Sequence, residues 1–274
     1  MQAIDEALVR QVIKVRNVES HKGNYGRVLI VGGNPQYGGA AILSASAAVY
    51  AGAGLVSVAT AAVNRSALHA RLPEAMILPY DDPGFAALVA SQDVVVVGPG
   101  LGVDQTAQAV LTQTFAAVLP TQTLVIDGSA ITLVAQLHPE LPKAHLIWTP
   151  HQMEWQRLSG VAIAQQTPAA NQAAAAALAG WVIVKSHRTE VFTDAGAFVN
   201  TTGSAAMATG GSGDTLTGIL AAFVGQFGLR PQTVCAAVYT HSAVADELAA
   251  SQYVALPSHV IAALPNFMAR MAQA

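Results

Sequence analysis

Residues Gly210 to Asp214, GGSGD, form a glycine-rich turn that runs straight into an apolar helical stretch beginning near Thr215. Open backbone N–H groups at a helix start can hold an anion, and missing side chains let a phosphate come close. Asp214 stands at that anion hole, and two readings fit it. It could be the N-cap of the helix, or a catalytic base facing a transferable phosphoryl group. Taken alone, the stretch favours the cap, because glycine-rich helix starts are common.

The other groups with chemical potential fall at strand ends. Asp127 closes the apolar run 123–127, where it either meets a ligand or cation or accepts backbone N–H bonds in its own turn. In TPHQMEWQRLSG, residues 149–160, Pro150 ends a strand and starts a helix with His151 and Glu154 in its first turn. Glu154 is favoured there by the helix dipole alone, or it faces the same ligand. Lys185 ends the strand 181–185 and is followed by Ser186, His187, Arg188 and Thr189, whose cations either engage phosphates or are solvated loop charges. DVVVVGPGLG, residues 93–102, ends a strand in Gly98, Pro99, Gly100 and Gly102, either a ligand loop or an ordinary turn. His241, Asp246 and Glu247 share one helix, but the spacing from 241 to 246 does not put metal ligands on one face. A surface role is expected for them.

These residues need a scaffold, and hydrophobic periodicity supplies one. Ile4, Leu8, Val12 and Val15 lie at helical spacing and predict a short opening helix. A strand at 27–31, a small-residue helix at 39–51 and a strand at 55–60 form a βαβ unit. Further strands are predicted at 75–78, 93–97, 123–127, 146–149 and 181–185, with a hairpin turning near Gly196. Helices fall between them, including the alanine-rich 168–179, and three helices close the chain after Asp214, at 232–251 and at 258–271. Uninterrupted apolar strands alternating with helices specify an α/β layer sandwich with a parallel sheet covered on both faces. Neither GxxxxGK[ST] nor a correctly spaced GxGxxG is present, so the common phosphate and dinucleotide loops are excluded.

Composition narrows the class. Of 274 residues, 53% are hydrophobic and 11% charged, against about 25% charged in typical domains, so a homo-oligomer that hides surface is expected. A net charge of −3 without charge runs points away from nucleic acid and anionic membranes. Residues 28–64 carry no charge, but Asn34, Pro35 and Gln36 interrupt them, and they read as strand, helix and strand rather than a membrane span. Residues 1–16 lack the apolar core of a secretory signal. Cys235 is the only cysteine, which suits a reducing cytoplasm.

Together HKGNYGRVLIVGG, YGGAAILSASAAVYAGAGLVSVA, GPGLG, TPHQMEWQRLSG, KSHRT and NTTGSAAMATGGSGDTLTG resemble, in order, the NAD(P)H-hydrate dehydratases, the carbohydrate-kinase-domain repair enzymes of the ribokinase-like superfamily. The resemblance covers about residues 20–265. It implies a three-layer α/β sandwich with a mostly parallel sheet of about eight strands, in one domain over 1–274 without the N-terminal epimerase some members carry. It further implies dehydration of the S-form of NADHX or NADPHX to NADH or NADPH, driven by ADP in most bacterial members and ATP in eukaryotic ones, with Mg2+, in the cytoplasm and in a homotetramer. With ADP, the ring hydroxyl is phosphorylated, AMP is released, and phosphate is then eliminated.

Carried over residue by residue, the resemblance makes Asp214 the base and Gly211, Ser212 and Gly213 the anion hole. Lys185, Ser186, His187, Arg188, Thr189 and Gly213 match the nucleotide site. Ala40, Gly100, Gly102, His151 and Asp214 match the hydrate side, and Glu154 is placed near the metal through water. The chain departs from the family at Ser186, where a glycine is usual, at IDGSAI in place of DADAL, and at PHQMEW in place of PHPGEF. A related kinase of a hydroxymethylpyrimidine or thiazole alcohol would share the glycine turn, and a non-catalytic adenine-nucleotide sensor is the reading from another class. SHKGNYG, YGGAA and TPHQME favour the dehydratase.

Overall fold

Runs of β-branched residues dominate the strands, and in Val94–Val97 all four valines are buried, as a strand covered on both faces requires. The computed structural model describes residues 1–273. Its strands are β1 (Gln2–Ile4), β2 (Arg27–Val31), β3 (Leu55–Thr60), β4 (Met76–Pro79), β5 (Val94–Val97), β6 (Thr123–Ile126), β7 (His145–Trp148), β8 (Trp181–Val184), β9 (Glu190–Thr193) and β10 (Gly196–Asn200). The helices are α1 (Glu6–Val12), α2 (Gly38–Tyr50), α3 (Arg65–Arg71), α4 (Phe85–Ala90), α5 (Gln105–Ala117), α6 (Ser129–Leu137), α7 (Gln152–Ser159), α8 (Pro168–Ala176), α9 (Ser212–Phe227), α10 (Pro231–Ala249) and α11 (Pro257–Ala272).

The strands form one sheet in the order β1-β10-β9-β8-β7-β6-β5-β2-β3-β4. Among the described residues, β9 alone runs against its neighbours, pairing antiparallel with β8 and β10. Alternate strand residues feed two cores. Val28, Ile30, Val56, Val96 and Ile147 face the layer of α2, α9, α10 and α11, whereas Leu29, Val31, Val97, Ile126 and Trp148 face that of α5, α6 and α7. The expected three layers are therefore present, with ten strands rather than about eight.

One sequence expectation fails at the amino terminus. Ile4 lies in β1, paired in parallel with β10, and Val15 is 71% exposed, so the predicted opening helix shortens to Glu6–Val12. Asp5 caps it by accepting from the Leu8 N–H. No helix among the described residues is long and apolar enough to cross a membrane, in keeping with the strand-helix-strand reading of 28–64.

The connections set the site. β2 lies between β3 and β5, so the chain leaves it toward one side and returns on the other. Such a switch point opens a crevice at the carboxyl ends of the strands, where ligands bind in α/β sheets. α2 and α9 pack side by side with their amino ends at that same edge: a Cβ on Gly211 would lie 2.5 Å from Leu43, and further along Ser44 Oγ lies 3.1 Å from Thr217 Oγ1.

Candidate active site at the carboxyl edge of the sheet

α9 begins at Ser212 and its cap is Gly211, in the left-handed conformation with φ 96°. A side chain there would be strained and would strike Leu43, so the turn requires glycine. This corrects the helix start expected near Thr215 and the capping role considered for Asp214, which stands inside the first turn. Among the described residues no side chain caps the helix, so the N–H groups of its first turn stay open toward the edge. Thr215 Oγ1 bonds back to the Gly211 carbonyl at 2.9 Å and Ser212 Oγ donates to Met207 O at 2.7 Å, which fixes the turn.

Lys185 follows β8 and reaches toward this opening, its Nζ 3.2 Å from where a Cβ on Gly213 would sit. The ammonium is aimed by Asp127, whose Oδ1 accepts from Lys185 Nζ and from Thr149 Oγ1, each at 2.7 Å. Sequence reasoning left open whether Asp127 faces a cation; the structure makes Lys185 that cation. It overlooked Thr149, although a threonine at a strand end before Pro150 was the available signal.

His151 caps α7. Its Nδ1 accepts from the N–H groups of Met153 and Glu154, while Glu154 Oε2 accepts from the His151 N–H at 2.8 Å in a reciprocal capping box. Glu154 Oε1 lies 3.4 Å from His151 Nε2. A parallel bridge joins His151 to Lys185, because the Lys185 N–H donates to Pro150 O at 2.8 Å.

Three carboxylates thus surround one ammonium, and burial sharpens their interaction. Asp214 is pushed up to about 6, first by burial and then by Asp127 and Glu154, with Lys185 pulling the other way. Burial also raises Glu154, against the pull of Lys185. For Lys185 burial opposes the charge, but Asp127, Glu154 and Asp214 outweigh it and the pKa lies above the usual lysine range. Among the described residues no three His, Cys, Asp or Glu side chains converge as a metal cage. The donor set still suits Mg2+, which is commonly held by one or two carboxylates, water and substrate phosphates.

The loops that follow β2 and β5 are built differently. Gly33 N donates to Pro99 O at 2.8 Å and Asn34 N to Gly100 O at 2.7 Å, so backbone holds backbone. Gly100 has φ 61°, and a Cβ on it would lie 2.2 Å from Tyr37 O and 2.9 Å from the Ala40 methyl. Gly102 N donates to Ser129 Oγ at 3.0 Å. Asn64, which sequence reasoning also passed over, donates to Gly33 O at 2.8 Å from a buried position.

The structure therefore gathers Ala40, Gly100, Gly102, His151, Glu154, Lys185 and Gly211 to Asp214 at one edge. Ser186, His187 and Arg188 form an exposed loop beyond Lys185, and Thr189 is buried, its Oγ1 donating to Ser186 O at 3.1 Å to close that loop. SHKGNYG lies at the opposite end of the strands, ahead of β2, where Gly54 N donates to Tyr25 O. His241 corrects the surface role expected for it. It is buried on α10, and burial with the nearby Lys185 charge lowers it to about 4, against the pull of the Ser212 backbone. Asp246 likewise turns inward, whereas Glu247 is exposed and paired with Arg270.

The family model Carb_kinase, NAD(P)H-hydrate dehydratase, matches residues 28–266. The chain is 51% identical to the ADP-dependent (S)-NAD(P)H-hydrate dehydratase of Lactiplantibacillus plantarum, over 100% of this chain and 99% of that one. A ribokinase-like superfamily protein from Enterococcus faecalis has a solved structure that superposes with a TM-score of 0.97 at 46% identity, covering 100% of this chain and 97% of that one. An ADP/ATP-dependent NAD(P)H-hydrate dehydratase from Bacillus subtilis, co-crystallised with ATP/Mg2+, superposes with a TM-score of 0.86 at 27% identity, covering 98% of each chain.

Proposed function

The chain belongs to the NAD(P)H-hydrate dehydratase family, and on that premise we propose what each part of the sheet edge does. The protein is an ADP-dependent (S)-NAD(P)H-hydrate dehydratase that repairs NADHX and NADPHX. Hydroxide is a poor leaving group, so the ring hydroxyl is first converted to a phosphate ester. Asp214 accepts the hydroxyl proton as the oxygen attacks the β-phosphorus of ADP; the bond from that phosphorus to the bridging oxygen breaks, and AMP leaves. The ring C–O bond then breaks with its electron pair going to phosphate, the ring nitrogen assists, and loss of a ring proton restores the double bond.

The observation that carries this reading is Lys185, held 2.7 Å from Asp127 at the open end of α9 beside Asp214. A carboxylate raised to about 6 is ionised at neutral pH yet basic enough to take a proton. Gly211, Ser212 and Gly213 supply N–H groups for charge on the moving phosphoryl group, the main task in this transfer. Lys185 to Thr189 with Gly213 hold the nucleotide, and Ala40, Gly100, Gly102 and His151 shape the hydrate side. Glu154 and Asp127 offer oxygens of the kind that would hold Mg2+ beside phosphates, where it would neutralise charge. One catalytic domain over 1–274, a cytoplasmic setting and a homotetramer belong to the same proposal, the last supported by the 11% charge content.

The test is to incubate the protein with NADHX, Mg2+ and either ADP or ATP and follow the absorbance of reduced nicotinamide. Recovery with ADP is expected. No recovery with either nucleotide, together with phosphorylation of a thiazole or pyrimidine alcohol, would overturn the reading.

A further inference from the structure

α10 is apolar along most of its length, yet it turns two polar side chains, one turn apart, against a single loop. Ser242 Oγ accepts from Asn200 Nδ2 at 2.6 Å and lies 2.7 Å from Thr202 Oγ1. Asp246 Oδ2 accepts from the Gly203 N–H at 2.8 Å, while its Oδ1 is sealed from solvent without a donor among the described residues. Burying a carboxylate oxygen unpaired opposes folding, so the residue calls for an explanation other than packing.

The far side of that loop supplies one. Asn200 N donates to Thr189 O at 2.9 Å, and Arg188 Nη1 donates to Gly203 O at 3.5 Å. A Cβ on Gly203 would lie 3.5 Å from both His187 O and the Ser242 Cβ. Residues 200–203 are therefore a spacer, clasped by α10 on one side and carrying 187–189 on the other. An exposed loop gains a fixed position only from such support.

We infer that Asp246 is a positioning residue for the adenine nucleotide: by holding the Gly203 N–H it sets the segment Lys185 to Thr189 in register with the open turn of α9. This rests on the assignment of that segment to the nucleotide. Asp246 touches neither substrate nor reacting atoms, so its removal weakens ADP binding and spares both the hydrate site and the chemical step.

The test compares Asp246→Ala, Asp246→Asn, Ser242→Ala and Arg188→Ala for KM of ADP, KM of NADHX, kcat at saturation, ADP Kd by calorimetry and thermal midpoint. Asp246→Ala is expected to raise KM and Kd for ADP about tenfold, with kcat and KM for NADHX within about twofold of the parent. Asp246→Asn keeps an acceptor for the Gly203 N–H and recovers most of the loss. An unchanged ADP affinity in folded Asp246→Ala, or a parallel rise of both KM values that follows the thermal midpoint, overturns the inference. Should Asp246→Ala not fold, Ser242→Ala must show the same ADP-selective loss, and its absence is equally decisive. Arg188→Ala separates the two levels. An unchanged ADP affinity there strikes at the nucleotide assignment, whereas a loss there with none in Asp246→Ala strikes at the positioning role alone.

Discussion

The two sides of the sheet edge are made of different materials. Beside α9, charged side chains do the shaping: Asp127, Glu154 and Asp214 surround Lys185 and raise its pKa, while burial and the Asp127 charge raise Glu154 and Asp214. Between β2 and β5, backbone does it: Gly33 and Asn34 bond to Pro99 and Gly100, and a side chain on Gly100 would strike Tyr37 and Ala40. The difference follows from what each side would hold. A phosphoryl group in flight needs charge placed in advance, whereas a neutral reduced ring needs a surface of the right shape. The charged side should respond to pH and charge removal, and the backbone side to volume.

The largest break is expected at Asp214. Asp214→Asn, which removes the proposed base, should lower kcat by roughly 10²–10⁴-fold, with ADP binding retained in calorimetry. A fully active variant would leave Asp214 without a catalytic role. In the parent, kcat/KM falls as pH drops through about 6, where Asp214 takes up a proton. Stability moves the other way: between the usual carboxylate pKa and about 6 the folded state binds more protons, so Asp214 makes stability fall as pH rises through that window. At neutral pH Asp214→Asn should therefore be the more stable protein, by up to about 3 kcal/mol in urea denaturation.

Lys185 is the second break on the charged side. Lys185→Met strands Asp127, whose side chain is 3% exposed, and should destabilise the fold by about 3–5 kcal/mol. Lys185 also lowers the Asp214 pKa, so the acid limb of any residual activity must shift upward. Adding Asp127→Asn should return part of the lost stability. If Lys185→Met denatured like the parent and kept its pH profile, the charge cluster would not be a coupled unit.

These charges were only half legible in the sequence. β3 matches its predicted bounds and β5 differs by one residue, because apolar β-branched runs announce themselves locally. β1 was hidden: its three residues pair with Phe198 to Asn200, far along the chain, and Ile4 fits helical spacing equally well. Asp214 reads as a cap in the sequence because aspartate fills that place well, yet the positive φ of Gly211 gives the place to glycine. From spacing alone, His241 and Asp246 do not share one metal site, and nothing further is legible about them. The structure gives each its own neighbour, the Ser212 turn for His241 and Gly203 for Asp246, and no pairwise spacing rule reports that.

The smallest predicted effects come from two glycines on the backbone side, and together they separate shape from stability. Gly100→Ala adds a methyl where φ is 61° and the Tyr37 carbonyl would lie 2.2 Å away. It should destabilise the protein by roughly 1–3 kcal/mol and raise KM for NADHX, with KM for ADP and the acid limb unmoved. Gly39→Ala meets nothing within 4 Å and sits exposed in the first turn of α2, one residue before Ala40. Alanine is the better helix former, so this variant should gain up to about 1 kcal/mol in thermal or urea unfolding. The added methyl intrudes on the space where the hydrate would approach, and KM for NADHX should rise even as the protein becomes more stable. Opposite changes in stability with the same change in KM would mean that the backbone side is kept open for a ligand. An unchanged KM in the stabilised Gly39→Ala protein would instead reduce the crevice to a packing joint between β2 and β5 and place the hydrate elsewhere along the edge.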